Sequence, residues 1–244
     1  MKKERLDTVL VEQGYFPDAG MALRAVLAHE VKVDDVYATS AAIKIAPDAV
    51  IVVKNHRRFA SRGGHKLQGA LDGFAQDVSG AHCVDIGSST GGFTDCLLQA
   101  GAARVACVDV NYGQLAWHLR QDERVSVFER TNIKTADPVA LGAPFDVLVA
   151  DVSFIGLAQL APVFARLSKE NSVFIGLVKP QFESRHDETE RGVVRDPQVR
   201  QRVVEEVSEA LVESGFEVTG VIESSLKGPE GNIEFLVRAV YRER

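Results

Sequence analysis

One stretch, residues 83–95, constrains the fold more than any other part of this sequence. It reads as a short apolar strand that ends on Asp85, then a turn rich in glycine and hydroxyl side chains, then the first turn of a helix. A turn of this kind brings backbone N–H groups and a helix N-terminus close to a ligand, and glycine is needed where a side chain would block that approach. The stretch therefore predicts a site for a nucleotide-like cofactor.

The spacing of the glycines helps to decide which cofactor binds. A dinucleotide fingerprint requires G-x-G-x-x-G, whereas here Gly87 is followed by three residues and then by Gly91 and Gly92. Asp85 can accept a hydrogen bond from a cofactor's amino group or hold the turn. The next apolar run ends in Asp109, where a carboxylate can bind two ribose hydroxyls. The alternative is a tight strand–helix turn that binds no ligand.

This arrangement resembles the S-adenosylmethionine (SAM) site of class I methyltransferases. The resemblance implies SAM as the cofactor and implies a set of binding residues. These are Asp85, Gly87, Ser88, Ser89, Thr90, Gly91, Gly92, Phe93, Asp109, Asn132 and Asp151.

The rest of the chain beyond residue 59 alternates between strand and helix patterns. Apolar runs lie at 82–87, 103–109, 124–129, 145–151 and 172–178, and helical patterns lie near 92–101, 113–121, 155–168 and 197–214. Such alternation predicts an α/β fold, Rossmann-like and doubly wound, around a mainly parallel sheet. Two further runs, 216–222 and 235–241, predict an antiparallel hairpin at a sheet edge and bring the sheet to seven strands.

A smaller unit precedes this domain. Residues 5–14 have helical spacing, Asp18 is placed to cap a second helix, and the runs 31–33 and 36–38 flank a turn at Asp34 and Asp35. The pattern predicts a small α+β domain at 1–58, followed by the methyltransferase-like domain at 59–244. The first unit resembles the RNA-binding domain of the ribosomal-protein-S-four type.

Charge is unevenly distributed along the chain. The net charge of the 244 residues is −6, which counts against a purely electrostatic nucleic-acid binder. No acidic residue lies between Asp48 and Asp72, and basic side chains gather there instead. They are Lys54, His56, Arg57, Arg58, Arg62, His65 and Lys66. Two interpretations stay open for this junction: a contact with a polyanion, or a solvated linker.

Cysteine usage and hydropathy bound the cellular setting. Cys83, Cys96 and Cys107 lack metal-ligand spacing, so we expect no metal site, and they are typical of small core residues in a reducing compartment. The N-terminus has no apolar signal core, and no run is long enough to span a bilayer. These features predict a cytoplasmic protein that does not insert into membranes.

Polar residues close several of the predicted strands. Reading the strand ends in order gives Asp85, Asp109, Asn132, Asp151 and Lys179. Ligands of open α/β sheets bind at the carboxyl ends of the strands. A charged residue at such an end either caps the sheet in solvent or lies in the binding cleft, and these residues share the edge that carries the glycine turn.

At these residues the sequence resembles a specific family. Lys66, Asp151, Lys179 and Glu234 match the Lys-Asp-Lys-Glu tetrad of FtsJ-like ribose 2′-O-methyltransferases. Together with the segments 61–67, 151–155 and 179–183 and the N-terminal unit, the chain is similar throughout to the TlyA (hemolysin A) family of rRNA 2′-O-methyltransferases. The resemblance implies that the tetrad is catalytic. Lys179 would orient or deprotonate the 2′-hydroxyl and Asp151 would hold Lys179, with Lys66 and Glu234 completing the network.

The resemblance implies ribosomal RNA or ribosomal subunits as partners, with cytidines of 16S and 23S rRNA as the methylated nucleotides. Two other classes of function are alternatives to this enzyme. A membrane-active hemolysin would need a long apolar or amphipathic segment, which the sequence lacks. A non-catalytic RNA-binding or ribosome-assembly factor would not need the intact tetrad.

The charged segment 184–191 after the tetrad lysine is either a lid over the RNA or a plain surface loop.

Overall fold

A computed structural model of the protein describes residues 3–13, 15–16, 18–47, 49–54, 58–228 and 230–243. The chain divides into two compact units, Met1–Arg58 and Phe59–Arg244. His56 and Arg57 of the basic junction lie outside the described residues.

The first unit combines two helices with short strands. The elements are β1 (Glu4–Arg5), α1 (Leu6–Glu12), α2 (Ala19–Leu27), β2 (Val31–Val33), β3 (Val36–Tyr37), β4 (Lys44–Ile45) and β5 (Ile51–Val53). The Asp18 side chain caps α2 by accepting a hydrogen bond from Met21 N at 2.8 Å, as its position predicts. Strand β2 lies between β3 and β5, and β1 pairs with β4. Asp34 and Asp35 both have positive φ, which suits the tight turn between β2 and β3.

The second unit is built on one seven-stranded sheet. Its strands are β6 (His82–Ile86), β7 (Arg104–Val108), β8 (Val125–Phe128), β9 (Phe145–Ala150), β10 (Ser168–Val178), β11 (Phe216–Glu223) and β12 (Phe235–Tyr241). The order across the sheet is β11-β12-β10-β9-β6-β7-β8. Strand β12 is antiparallel to both neighbours, and the pairs from β10 to β8 are parallel. The predicted α/β fold, with its mainly parallel sheet and terminal hairpin, is confirmed.

Helices flank the sheet on both faces. They are α3 (Gly63–Gly73), α4 (Gly92–Gln99), α5 (Trp117–Arg120), α6 (Pro138–Leu141), α7 (Ala161–Leu167), α8 (Pro180–Glu183) and α9 (Pro197–Glu213). Leu148 and Phe174 belong to the core on one face, while their neighbours Val149 and Ile175 belong to the core on the other. Because both faces are covered, the central strands are apolar without alternation, which is why they read as continuous apolar runs.

Two predicted helices are shorter in the structure. The helix expected over 113–121 is the single turn α5, because Gly113 has a φ of +74° and Ala116 has extended ψ. The helix expected over 155–168 is divided into a 3-10 turn, Ala158–Leu160, and α7. Residues 152–157, which precede that turn, lie at the sheet edge described next.

Candidate active site

The glycine turn brings its backbone against the chain that follows β9. Gly87 has a φ of +81°, and a Cβ there would lie 2.7 Å from the carbonyl oxygen of Asp151. A Cβ on Gly92 would lie 2.1 Å from Ser61 Oγ. The turn therefore needs glycine at both positions. Gly91 also has positive φ, but a Cβ there would meet the side chain of Leu119, and Gly91 lines neither cavity described below.

Asp85 holds this turn through one of its two carboxylate oxygens. Its Oδ2 accepts hydrogen bonds from Thr94 N at 2.9 Å and from Thr94 Oγ1 at 2.6 Å. Its Oδ1 is buried and has no hydrogen-bond partner among the residues that the structure describes. Burial raises the pKa of Asp85 to about 7, and the nearby charge of Asp151 adds to the increase. A buried polar atom without a partner at a cavity wall indicates a place for a ligand's donor group.

Two cavities adjoin at the carboxyl edge of the sheet. The first has a volume of about 290 Å³, and its lining includes Lys66, Asp85, Gly87, Ser88, Ser89, Thr90, Gly92, Phe93, Asp151, Lys179 and Glu234. The second has a volume of about 530 Å³, and its lining includes Gly87, Ser89, Asp109, Asn132 and Asp151. Except for Gly91, every residue predicted from the sequence to bind cofactor or to act in catalysis lines one of these cavities.

Asp109 shapes the second cavity through backbone contacts. Its Oδ2 accepts a hydrogen bond from Ser89 N at 2.8 Å, and its Oδ1 accepts one from Asn111 N at 2.7 Å. Each carboxylate oxygen has further acceptor capacity, so Asp109 can fix the loop and still accept from ribose hydroxyls. Asn132 uses its Oδ1 to accept from Lys134 N at 3.0 Å and is exposed.

Lys66 and Glu234 form one half of the tetrad. The Lys66 Nζ donates to Glu234 Oε2, and the two side chains are only 9% and 1% exposed. The Oε1 of Glu234 is buried and lacks a hydrogen-bond partner within the described part of the chain. A Cβ on Gly228 would lie 2.6 Å from this oxygen, so only glycine leaves it room.

Asn232 anchors the segment that carries Glu234. This buried amide accepts a hydrogen bond from Val194 N at 3.0 Å and donates one to the carbonyl oxygen of Gly192 at 2.8 Å. Asn232 is not among the predicted site residues, and the motif Gly-Asn-Ile-Glu around the tetrad glutamate is the sequence signal that points to it. The contact also fixes residues 192–194, just beyond the charged segment 184–191.

Lys179 and Asp151 form the other half of the tetrad. Lys179 Nζ lies 2.6 Å from Asp151 Oδ1, and the two side chains are 12% and 24% exposed. The same Nζ donates to Ser153 Oγ at 3.0 Å and lies 5.8 Å from the ring centroid of Phe182. Ser153 lines both cavities. It belongs to the segment 151–155 that resembles the family but is not among the predicted site residues, because a serine near a lysine is common at any surface.

The segment 184–191 is partly structured. It contains a 3-10 turn, His186–Glu188, and Glu190 forms a bridge with Val193. Arg202 Nη2 of α9 donates to Glu188 Oε2 at 2.6 Å. The choice between a lid and a surface loop stays a prediction.

The lining residues fit SAM. The turn offers backbone N–H groups without Cβ atoms in the way, and the buried Asp85 Oδ1 lacks the donor that an amino group would supply. Asp109 keeps acceptor capacity at the wall of the larger cavity. Together with the sheet order, this site defines a class I SAM-dependent methyltransferase. The fold matches the magnesium protoporphyrin IX methyltransferase of Synechocystis PCC 6803 solved with bound SAM, with a TM-score of 0.51 at 16% identity, over 74% of this chain and 81% of that one.

Residues 59–241 match the family model of the FtsJ-like methyltransferases. The chain therefore belongs to that family. The chain is 42% identical to the 16S/23S rRNA (cytidine-2′-O)-methyltransferase TlyA of Mycobacterium tuberculosis, over 97% of this chain and 89% of that protein. It also matches the structure of a proposed hemolysin from Streptococcus thermophilus, with a TM-score of 0.75 and 38% identity, over 100% of this chain and 90% of that one. Among the described residues, no helix has the length and apolar character to cross a bilayer.

Proposed function

We propose that the protein transfers the methyl group of SAM to a ribose 2′-hydroxyl of ribosomal RNA. The observation that carries the proposal is the ammonium group of Lys179 in the first cavity, which is held by Asp151 and Ser153 where the two cavities meet. That junction is where a donor bound along the glycine turn and an acceptor from solvent can meet.

The cofactor would be held mainly by residues at the ends of β6 and β7. Asp109 would accept from the ribose hydroxyls in the second cavity, and Asp85 Oδ1 would accept from the amino group in the first. Gly87 lines both cavities, so its backbone can contact the cofactor in either one. When bound, SAM supplies an electrophilic methyl group on a sulfonium. Carboxylates near that positive charge, Asp151 among them, favour its binding.

Lys179 prepares the acceptor. An ammonium has three N–H donors, and in the structure Asp151 and Ser153 engage two directions around Nζ. A third N–H can donate to the 2′-oxygen and fix it in line with the methyl group. Because Asp151 and Ser153 fix the position of Nζ, orientation of the hydroxyl is the role that these contacts support. The Asp151 carboxylate would receive the hydroxyl proton as the O–C bond forms and the S–C bond of the sulfonium breaks, with the thioether as the leaving group.

The substrate class rests on the relatives. The similar protein of M. tuberculosis is named for cytidines of 16S and 23S rRNA, and we extend that specificity to this chain. The S-four-type unit at 1–58 would contribute RNA binding, as would Arg62, which lines the first cavity. The partner is then ribosomal RNA, either naked or within a ribosomal subunit.

The test is transfer of a labelled methyl group from SAM to unmodified ribosomal subunits and to their naked RNA. We expect label to appear as 2′-O-methylcytidine with the wild type and not with Lys179→Ala. The substrate that accepts the label identifies the partner. Label on a base would contradict the proposed chemistry. Absence of label despite measurable SAM binding would favour the non-catalytic assembly factor.

A further inference from the structure

Glu183 is a buried carboxylate next to the active site that the tetrad does not account for. It is the last residue of α8, four residues after Lys179. Its Oε1 accepts a hydrogen bond from Leu157 N at 2.5 Å, and the backbone N–H of Ala158 also donates to the carboxylate. Glu183 thereby reaches from the end of β10 to the segment that follows β9.

The segment 152–157 is shaped to receive this carboxylate. A Cβ on Gly156 would lie 2.3 Å from Glu183 Oε2, so a side chain at that position would displace it. The ring centroids of Phe154 and Phe182 are 5.5 Å apart, and the two rings make a second contact between the same two segments. Two independent contacts thus join the chain after Asp151 to the chain after Lys179.

Both partners of the Lys179 ammonium lie at the start of the segment that Glu183 anchors. Asp151 and Ser153 precede Leu157 by only six and four positions, with no helix or strand assigned between them. The Asp151 backbone is held independently, because its N–H donates to the Ile86 carbonyl oxygen at 3.0 Å. Release of Leu157 would therefore act on Ser153 and on the Asp151 side chain. In-line transfer is sensitive to displacements of about 1 Å, so the anchor matters for turnover.

We propose that Glu183 is a positioning residue for methyl transfer, whose anionic carboxylate ties residues 152–158 to the end of β10 and so fixes Asp151 and Ser153 around Lys179. The inference rests on the proposed function. Ionisation strengthens the anchor because both backbone partners are N–H donors. A hydrogen bond to a carboxylate is charge-assisted and about twice as strong as one to a neutral acid or an amide.

The surroundings of Glu183 make this anchor sensitive to pH. Burial raises the pKa of Glu183 above its ordinary value, and the negative charge of Glu206 on α9 raises it further. Arg202 lies on the same helix but donates to Glu206 at 2.6 Å and to Glu188. The Leu157 and Ala158 N–H groups oppose the increase. With a raised pKa, the anionic anchor is present at high pH and is lost as pH falls, at a higher pH than for an exposed glutamate.

The experiment compares kcat of wild type and Glu183→Gln as a function of pH, from about pH 5 to about pH 9. Glutamine has the shape of the protonated glutamic acid, so the variant represents the neutral form at every pH. We expect the ratio of wild-type to variant kcat to be on the order of ten at high pH and to approach one at low pH. Other titrating groups, Asp85 included, are common to both enzymes and cancel in the ratio. Glu209→Gln, an exposed substitution on α9, should give a ratio of one throughout.

A ratio of one at every pH, or a reduction that does not change with pH, would overturn the inference. Hydrogen exchange of the Leu157 amide provides a readout that does not depend on turnover. Glu183→Gln should exchange this amide on the order of tenfold faster at high pH than the wild type does. If the wild type methylates no RNA tested, the proposed function fails while the exchange experiment still tests the anchor. If the wild type is active and exchange is unchanged, only the inference fails.

Discussion

The two ion pairs of the tetrad have the same chemistry in different surroundings. Lys66 and Glu234 are 9% and 1% exposed, whereas Lys179 and Asp151 are 12% and 24% exposed. The lysine of the second pair also contacts Ser153 and approaches the ring of Phe182. The pair with better access to solvent is thus the one whose lysine can meet an incoming ribose.

The buried pair has a different task. Two charges that leave water must compensate each other, and the loss of one leaves the other uncompensated. Lys66 and Glu234 therefore join α3 to the segment before β12, and Glu234 keeps one oxygen at the cavity. We therefore propose that Lys179 positions the substrate oxygen and that Lys66 maintains the shape and charge of the site.

The largest effect should come from Lys179→Met. We expect kcat to fall on the order of a thousandfold, because the ammonium that orients the acceptor is gone. The free energy of unfolding should change by only about 1 kcal/mol, since Asp151 can be hydrated when its partner is removed. Methyl transfer under saturating substrates and unfolding in urea measure the two quantities. A loss of stability as large as that of the matched variant below would erase the distinction.

Lys66→Met is that matched variant, with the same substitution at the buried pair. We expect the free energy of unfolding to fall by about 3 kcal/mol, because Glu234 is left buried without its cation. Urea unfolding checks this value. The double variant Lys66→Met with Glu234→Met should recover much of the stability but not the activity. If the single variant were as stable as the wild type, Glu234 would not depend on Lys66.

Asp85 sharpens the comparison, since it is a buried carboxylate without a salt-bridge cation in the described structure. Its pKa is about 7 in the folded protein against 3.8 as the ordinary value. A raised carboxyl pKa favours the folded state at low pH, and this stabilisation is lost as pH rises through about 7. Because the two pKa values differ by about three units and each unit corresponds to about 1.4 kcal/mol, Asp85→Asn should gain about 4 kcal/mol relative to wild type between about pH 4 and about pH 8.

Urea unfolding of both proteins at the two pH values measures the gain, and calorimetry should show weaker SAM binding by the variant. A stability difference that stays constant with pH would mean that Asp85 does not titrate in this range. The variant would thus gain stability and lose SAM affinity, a trade-off that is typical of functional sites.

Much of the fold and of the cofactor site could be predicted from local pattern. Asp85, Asp109 and Asp151 are found at one sheet edge because apolar runs separated by helices dictate a parallel sheet, whose carboxyl ends meet. Lys66 and Glu234 could be joined only through family resemblance. Their pairing depends on how β12 enters the sheet, and no local spacing encodes that.

The contacts of Ser153, Glu183 and Asn232 could not be predicted from local pattern either. Two of these side chains bind backbone groups of distant segments, and backbone N–H groups carry no sequence signature. The helix expected over 113–121 begins only at Trp117, because Gly113 has positive φ and Ala116 has extended ψ, and the apolar pattern does not reveal either. Local rules thus fail where irregular segments meet, which is also where the site lies.

The place of β12 in the sheet has a consequence for how the protein is made. The Lys66–Glu234 contact joins residues 168 positions apart, and β12 inserts between β10 and β11 near the end of the chain. During synthesis, the glycine turn and the first three tetrad residues leave the ribosome well before Glu234. Contacts of such long range form late because loop closure opposes them. A nascent chain therefore carries Lys66 without its counter-ion until Glu234 has been made, and methyl transfer becomes a reporter of the insertion of β12 into the sheet.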